Sequence, residues 1–350
     1  MAVQALPRAL IVLVGTAAAV VTLFGMREVS SILGPIVLAL VLVLAVSPVR
    51  NWLRRRGAPM WLQVALPFLI VVLVLLAMVA ILSLAVTQLA VLLPAYTDQF
   101  NTLVKESQQL LARFGIGNAQ LDQAVKSLDP GKLVGFAQGL LTGVVGLLSS
   151  LFLMVVLLLA MSLDAPVMQR IFAAGSRSKP QLVTALATFA SKTRRYLLVS
   201  TAFGLVCAAL DVIALYLLSV PIPLLWGVLA LITNYIPNIG FIMGLIPPAL
   251  LALLDGGVKQ MIFVIIAYVA INVVIQSFIQ PKFLGDAVGL STTMTLLSLI
   301  IWAFVLGPLG ALLAIPLSLL TRALLIDSDP TARWAAALIS GDERIVSEPG

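Results

Sequence analysis

The sequence predicts an all-α polytopic membrane protein with about eight transmembrane helices, Pro/Gly-broken or re-entrant in the carboxy-terminal half. Three observations support this fold class. Apolar residues make up 61% of the 350 positions and charged residues 10%, with a mean hydropathy of +1.15, whereas soluble domains are roughly half apolar and a quarter charged. The charges are segregated, leaving long runs without Asp, Glu, Lys or Arg, and about 20 apolar residues cross the bilayer core. Pro and Gly then interrupt the later runs.

The amino-terminal part supplies four predicted spans. They cover residues 9–26, 29–48, 61–93 and 134–162. The first is interpreted as a retained helix, because no small-x-small cleavage site precedes a soluble domain. Residues 1–163 as a whole are predicted to form scaffold and oligomerisation spans.

Basic residues predict the orientation, because they are enriched in cytoplasmic loops. The loop RNWLRRR (50–56) has four arginines and no acid, and residues 164–195 carry six basic residues against Asp164. Both segments are expected in the cytoplasm, the second as an amphipathic connector. Residues 98–132 balance four basic with four acidic side chains and are expected outside, within an external amphipathic helix over 95–128. The high pI therefore reflects topology, and no nucleic-acid partner is expected.

The chain lacks the residues that several kinds of chemistry need. It has no histidine and one cysteine, Cys207, which excludes His-based catalytic triads, His-ligated metals and an intrachain disulfide. It also lacks a G-x-x-x-x-G-K-[ST] phosphate loop. We predict no catalytic residues, no metal, no cofactor and no enzymatic activity.

Two breaks interrupt the apolar runs of the predicted transport unit, residues 196–326, which precedes a cytoplasmic tail (327–350). In LITNYIPNIGFIMGLIPPAL (231–250), Pro237 is expected to free a backbone carbonyl. Residues 222–254 are too long for one upright span and fit either one kinked span or a re-entrant hairpin. GPLG and Pro316 interrupt the run 287–323. Because unpaired backbone groups are costly in hydrocarbon, we expect these breaks to line a wet cavity that a solute reaches.

Between the breaks lies INVVIQSFIQPKFLGDAVGL, whose amides recur at i, i+4 and i+8. They share one stripe of a helix that Pro281 is expected to end. Two broken segments beside a polar stripe are typical of transporter binding sites. The candidate substrate-binding residues are Asn234, Pro237, Asn238, Gly240, Asn272, Gln276, Gln280 and Pro281. The candidate hinge or close-packing residues are Gly244, Gly285, Gly307, Gly310 and Pro316, since small residues also let helices approach closely.

Asp211, in CAALDVIALYLL, is the plainly intramembrane acid of the sequence. Ionisable groups at that depth are costly and mark ion pathways. We treat Asp211 as the candidate for proton or cation coupling. Two alternatives remain open, a carboxylic acid kept protonated by desolvation and one paired across helices.

These motifs, from PIPLLWGVLALITNYIPNIG to LGPLGALLAIPLSLL, resemble the autoinducer-2 exporter (AI-2E) family of bacterial membrane proteins. The resemblance spans most of the chain and is sharpest from about 221 to 323. The family pattern is matched by Asn234, Ile236, Pro237 and Gly240 at the first break, by Asn272, Pro281 and Gly285 after it, and by Gly310, Ala314 and Pro316 at the last. Asn238 departs from the pattern, because an aromatic residue is common there.

The resemblance implies eight spans in the bacterial inner (plasma) membrane with both termini cytoplasmic. It also implies export of small molecules, quorum-sensing signals among them, and homo-oligomeric assembly with a pentamer as one possible order. Some members exchange Na⁺ or Li⁺ for protons, so membership does not fix the cargo.

We therefore expect a secondary transporter that exports a small polar organic solute, similar to autoinducer-2, through a site at the broken helices. Its expected partners are that solute, the lipid bilayer and a coupling proton or Na⁺. One alternative is an Na⁺(Li⁺)/H⁺ antiporter. Another is a non-transporting scaffold for envelope machinery, in which the broken helices would be buried in a dry interface.

Overall fold

The computed structural model describes residues 7–99, 101–102, 105–106, 109, 131–237, 239–284, 289–329 and 332–340. The described residues are almost wholly helical and contain no strand. Five of their helical stretches, some of which join consecutive helices, are long and apolar enough to cross a membrane. They are Ser30–Arg55, Met60–Gln99, Leu151–Gly175, Pro180–Leu217 and Gly240–Phe283. The predicted fold class, an all-α polytopic membrane protein, is confirmed.

Thirteen α-helices follow one another in the described residues. They are α1 (Arg8–Glu28), α2 (Ser30–Ala45), α3 (Ser47–Arg55), α4 (Met60–Leu92), α5 (Gly131–Gly175), α6 (Pro180–Leu217), α7 (Pro223–Thr233), α8 (Gly240–Asn272), α9 (Gln280–Leu284), α10 (Thr292–Leu306), α11 (Pro308–Leu312), α12 (Ala314–Arg322) and α13 (Arg333–Ser340). A 3₁₀ turn (Leu93–Tyr96) follows α4, and π-turns occupy Val273–Ile279 and Ala323–Asp327.

The predicted spans of the amino-terminal part coincide with α1, α2, α4 and the central part of α5. The short helix α3 was expected as a loop. It forms because Pro48 fits the first helical turn, where the missing N–H has no intrahelical partner. The expected connector 164–195 consists of the end of α5 and the start of α6, joined by a turn.

Prolines break this chain less often than the sequence suggests. Helix α8 continues through Pro247 and Pro248. The prediction that Pro281 ends its helix is wrong, since α9 runs through it to Leu284. The π-turn just before Pro281 widens the helix, which relieves the clash that a proline ring causes in an α-helix.

The real bend in α8 lies at Gly257, with φ 75° and ψ −169°. Left-handed backbone of this kind is open to glycine and strained for other residues. Helix α8 therefore comprises two helices, 240–256 and 258–272.

The chain divides into two compact units. One contains Met1–Phe68, Val156–Leu197 and Asp286–Gly350, and the other contains Leu69–Val155 and Leu198–Gly285. Each unit includes one of the two segments that the sequence marked as broken.

In the unit with residues 198–285, the broken segment is a helical hairpin, here called hairpin 1 (residues 218–260). A Cβ at Gly240 would overlap the carbonyl oxygen of Thr233, and one at Gly244 would lie 3.4 Å from Cα of Ala230. Gly240, at the start of α8, thus contacts Thr233 at the end of α7, and Gly244, further along α8, contacts the earlier residue Ala230. The two helices are therefore antiparallel. Gln260 Nε2 donates to the carbonyl oxygen of Leu218 at 2.7 Å and closes the base.

In the other unit, the last broken segment is also a hairpin, hairpin 2 (residues 289–322). Gly307 turns the chain with φ 64°, and Trp302 Nε1 donates to Ser318 Oγ at 3.0 Å across the two arms. Arg322 Nη1 donates to the carbonyl oxygen of Gly289 at 2.6 Å, so the two ends of this hairpin also meet.

The first arm of hairpin 1 is too short to cross the bilayer core. Helix α7 has 11 residues and reaches about 16 Å, about half of the bilayer core. Over residues 222–254 the structure shows a hairpin and not one kinked helix, and its re-entrance into the membrane stays a prediction.

Some predictions concern residues outside those described. Most of the expected external helix 95–128, Asn238, Gly285 and the end of the tail lie there.

Candidate functional site

The tip of hairpin 1 lies beside a small cavity of about 10 Å³, room for about one water molecule. The cavity is lined by Cys207, Asp211, Ala230, Asn234, Phe241, Gly244, Tyr268, Asn272 and Gln276. Five residues predicted from sequence, three amides, one acid and Gly244, therefore meet at one place although up to 65 positions separate them in the chain.

The three amides form one hydrogen-bond network. Gln276 Nε2 donates to Oδ1 of Asn234 at 2.6 Å and to Oδ1 of Asn272 at 2.7 Å. Asn272 Nδ2 donates to the carbonyl oxygen of Tyr268 at 2.9 Å, and Asn234 Nδ2 donates to that of Ser200 at 3.1 Å. The network thus joins the hairpin tip to α6 and to the end of α8.

Two polar groups at the cavity have no partner in the part of the chain that the structure describes. Asp211 Oδ1 and the Tyr268 hydroxyl accept or donate no hydrogen bond there, and both residues are 1% exposed. Buried polar groups are rarely left unpaired, since each costs about 1–3 kcal/mol. A buried acid and a buried phenol facing a space for one water are therefore the feature of this cavity that most needs a ligand.

Glycines place the hairpin tip against its neighbours. A Cβ at Gly204 of α6 would lie 2.8 Å from Asn234 Nδ2, and one at Gly240 would overlap the Thr233 carbonyl oxygen. A larger residue at Gly240 would push the tip away from α7, since its neighbour is backbone, whereas one at Gly204 would displace the Asn234 side chain. Tyr235 is held beside Asn234 by a 2.6 Å hydrogen bond between its hydroxyl and that of Thr201.

The backbone at the break is satisfied locally, which differs from the sequence-based expectation. The Thr233 carbonyl oxygen accepts from Ile236 N at 2.8 Å, and the Ile236 carbonyl oxygen accepts from Gly240 N at 3.0 Å. Pro237 has no N–H and so removes the helical partner of the Thr233 carbonyl oxygen. A tight turn supplies a new partner. The carbonyl that Pro237 was expected to free is therefore paired, and the amide side chains are polar groups available at the cavity.

The remaining predicted residues lie elsewhere. Gln280 and Pro281 follow the π-turn and do not line the cavity. A π-turn takes more residues per turn than an α-helix, so it rotates Gln280 off the stripe that Asn272 and Gln276 share. Gly307, Gly310 and Pro316 belong to hairpin 2, where a Cβ at Gly310 would overlap the Trp302 carbonyl oxygen. Pro316 lies in the first turn of α12, which tolerates it.

Sequence reasoning missed Tyr268 and Gly204. Tyr268 precedes Asn272 by four residues, so the stripe of polar residues could have been extended backwards to include it. Cys207, which also lines the cavity, lies four residues before Asp211 on the same face. Gly204 gave no local signal, because its contact with Asn234 is formed by the tertiary fold.

As a chemical site, the cavity offers amide donors and acceptors beside one carboxyl group. Amides can hydrogen-bond hydroxyl and carbonyl groups of a neutral solute, and a carboxyl group can take up or release a proton. The space present holds about one water molecule, so a larger solute requires the hairpin tip to move.

Known transport proteins are similar to this chain over most of their length. It is 31% identical over 303 residues to the AI-2 transport protein TqsA of Escherichia coli K12, which covers 87% of this chain and 88% of TqsA. It is 30% identical over 331 residues to a provisionally named transport protein of Haemophilus influenzae, covering 93% and 95% of the two chains. It is 28% identical over 311 residues to YhhT of Escherichia coli K12, covering 88% of each.

The sequence profile of the AI-2E family transporters matches residues 10–327. The profile thus covers both hairpins and the long apolar helices. The relatives are described as transport proteins and not as enzymes, as the absence of catalytic motifs predicted. This multi-pass membrane protein therefore belongs to the AI-2E family of transporters.

Proposed function

We propose that this protein exports a small, polar, uncharged organic solute of the autoinducer-2 kind through the cavity at the tip of hairpin 1. The observation that carries the proposal is the meeting of Asn234, Asn272 and Gln276 with Asp211 at one cavity. The similarity to TqsA, an AI-2 transport protein, supports this class of cargo. No lysine or arginine lines the cavity, which favours a neutral solute over an anion.

Asp211 is the proposed coupling group. It is buried and no described basic residue lies within ion-pair distance of it. A charge at this depth is costly, so binding and release of a proton at Asp211 would change the stability of the closed cavity. Inward proton movement down its gradient would then drive the solute outwards.

The location is part of the proposal. The arginine-rich ends of α3 and the turn between α5 and α6 are proposed to face the cytoplasm of a bacterial inner membrane, with both termini on that side. Copies of the chain are proposed to assemble as a homo-oligomer.

Efflux from proteoliposomes tests the cargo and the coupling together. Vesicles loaded with autoinducer-2 should lose it faster when a proton gradient is imposed than without one. Asp211→Asn keeps the shape of the side chain and should abolish the response to the gradient, whereas Asp164→Asn, at an exposed acid of α5, should leave it unchanged. Sodium-driven proton movement without solute efflux would overturn the proposal, as would an unaltered gradient response in Asp211→Asn.

A further inference from the structure

A second small cavity lies in the compact unit that contains hairpin 2, where α2, α3, α4 and α5 meet. It encloses about 10 Å³ and is lined by Val43, Val46, Ser47, Arg50, Gln63, Val64, Pro67 and Ser162. Half of this lining is polar, and its one charged member is the Arg50 guanidinium.

Arg50 is half-buried, and no described carboxylate lies within 4.0 Å of it. Arg54, one turn further along α3, adds a second positive charge and donates to Gln169 Oε1 at 2.9 Å. A partly buried cation without a counter-charge is unfavourable. A bound anion would remove that cost.

Hydrogen-bond donors other than Arg50 also reach the cavity. Ser162 is 9% exposed and makes no hydrogen bond within the described part of the chain. Gln63 uses one amide hydrogen for the carbonyl oxygen of Ala58 at 2.8 Å, which leaves the second free. Together with the forked guanidinium of Arg50, these groups match an anion that has several acceptor oxygens, as a phosphate has.

The surroundings of the cavity indicate a lipid as the source of the phosphate. Trp52 on α3 is 53% exposed and Trp61 at the start of α4 is 69% exposed. Exposed tryptophans of membrane proteins gather at the headgroup level. The Arg56 guanidinium lies over the Trp52 ring at 4.7 Å, which adds positive charge at the same level.

We propose that the mouth of the Arg50 cavity binds the phosphate group of an anionic phospholipid, with one phosphate oxygen in the space of about one water molecule beside Arg50. The acyl chains then lie along the exposed apolar surface of α4, and the cluster of arginines on α3 neutralises the headgroup. The site shares no lining residue with the solute cavity at hairpin 1. Its test is therefore separate from the test of the proposed transport function.

Native mass spectrometry of the purified full-length protein tests the site with phosphatidylglycerol and phosphatidylcholine as probes. Phosphatidylglycerol should remain bound to the wild type and bind about tenfold more weakly to Arg50→Gln, as expected for the loss of a charge-assisted hydrogen bond. Arg55→Gln is the matched control, because Arg55 is exposed on the same helix and does not line the cavity. The proposal is overturned if Arg50→Gln binds phosphatidylglycerol as strongly as the wild type. It is also overturned if Arg50→Gln and Arg55→Gln lose the same amount of binding.

Two further measurements cover the other outcomes. Ser162→Ala should unfold at the wild-type temperature and bind phosphatidylglycerol several-fold more weakly, which tests the cavity even if Arg50→Gln fails to fold. If Ser162→Ala and Arg50→Lys each bind phosphatidylglycerol as strongly as the wild type, the cavity is not the binding site. If inorganic phosphate displaces phosphatidylglycerol and raises the unfolding temperature as much, the ligand is free phosphate and the lipid assignment is wrong.

Discussion

Gln276 holds the amide network together, because its one amide nitrogen donates to both asparagine side chains, Asn234 and Asn272. Each acceptor is part of a different segment, one at the hairpin tip and one at the end of α8. The Gln276 side chain therefore fixes the position of the hairpin tip and also faces the cavity.

We expect Gln276→Leu to lower both stability and transport. It leaves two amide oxygens without their donor, at about 1–3 kcal/mol for each group that stays buried. The unfolding temperature in detergent and solute efflux from proteoliposomes measure the two effects. Gln280→Leu changes the same residue type four positions further on, away from the cavity, and should leave both close to wild type. A stable, fully active Gln276→Leu would show that the network has no role in transport.

At this scale the sequence indicated much of the candidate site. Asn234, Asn272, Gln276 and Asp211 stood out because polar groups are rare in apolar runs, and that rarity needs no knowledge of the fold. Gln280 was grouped with them on the assumption of a regular helix, which the π-turn invalidates. Tyr268 was missed because a tyrosine in a membrane helix is less conspicuous than an amide. The binding roles of these residues stay predictions.

Among the helices and turns, hairpin 1 depends on the absence of a side chain at Gly240. Its Cα lies so close to the Thr233 carbonyl that no Cβ fits, and the neighbour is backbone, which cannot rotate away. The turn that reverses the chain direction is therefore specified by glycine as much as by Pro237.

Gly240→Ala should separate α7 from α8 and destabilise the protein by about 2 kcal/mol or more, the range seen when a core is overpacked. Thermal unfolding monitored by circular dichroism measures the change, and efflux should fall with it. Gly139→Ala serves as the control, because a Cβ there meets nothing within 4 Å and alanine favours a helix. Equal unfolding temperatures for the two variants would contradict the close contact.

Element positions were easier to predict than their endings. The helices α1, α2, α4 and α5 lie where apolar length predicted spans, a length that the bilayer thickness dictates. Pro281 was expected to end its helix and does not, because a widened turn precedes it. The choice between kinked span and hairpin could not be made, since it depends on contacts between residues distant in the chain.

In the whole molecule, large apolar side chains stay exposed along the described helices. Val91 and Leu217 are each 77% exposed and Phe152 is 76% exposed, as expected for surfaces that face lipid. This is why apolar composition and segregated charges predicted the fold class correctly. The two compact units are built from interleaved segments, an arrangement that no local pattern in the sequence reveals.

The proposed topology can be tested by labelling single cysteines in a Cys207→Ala background, since Cys207 is the one native cysteine. Ser178→Cys lies in the exposed turn between α5 and α6, and Gln99→Cys follows α4 at an exposed position. A membrane-impermeant thiol reagent added to intact cells should label Gln99→Cys and spare Ser178→Cys. Inverted vesicles should give the opposite pattern, and labelling of both from one side would refute the orientation.

The π-turn at Val273–Ile279 gives the helix beside the solute cavity a spare residue. Such an insertion can slide along a helix while both helix ends stay anchored, and each step rotates the passing side chains by about 100°. Gln276 lies inside the turn, so it can swing away from Asn234 without displacement of a membrane span. Deleting Ser277 would remove the spare residue and fix one register; transport should then slow while the unfolding temperature holds, and an unchanged rate would mean that sliding is not used.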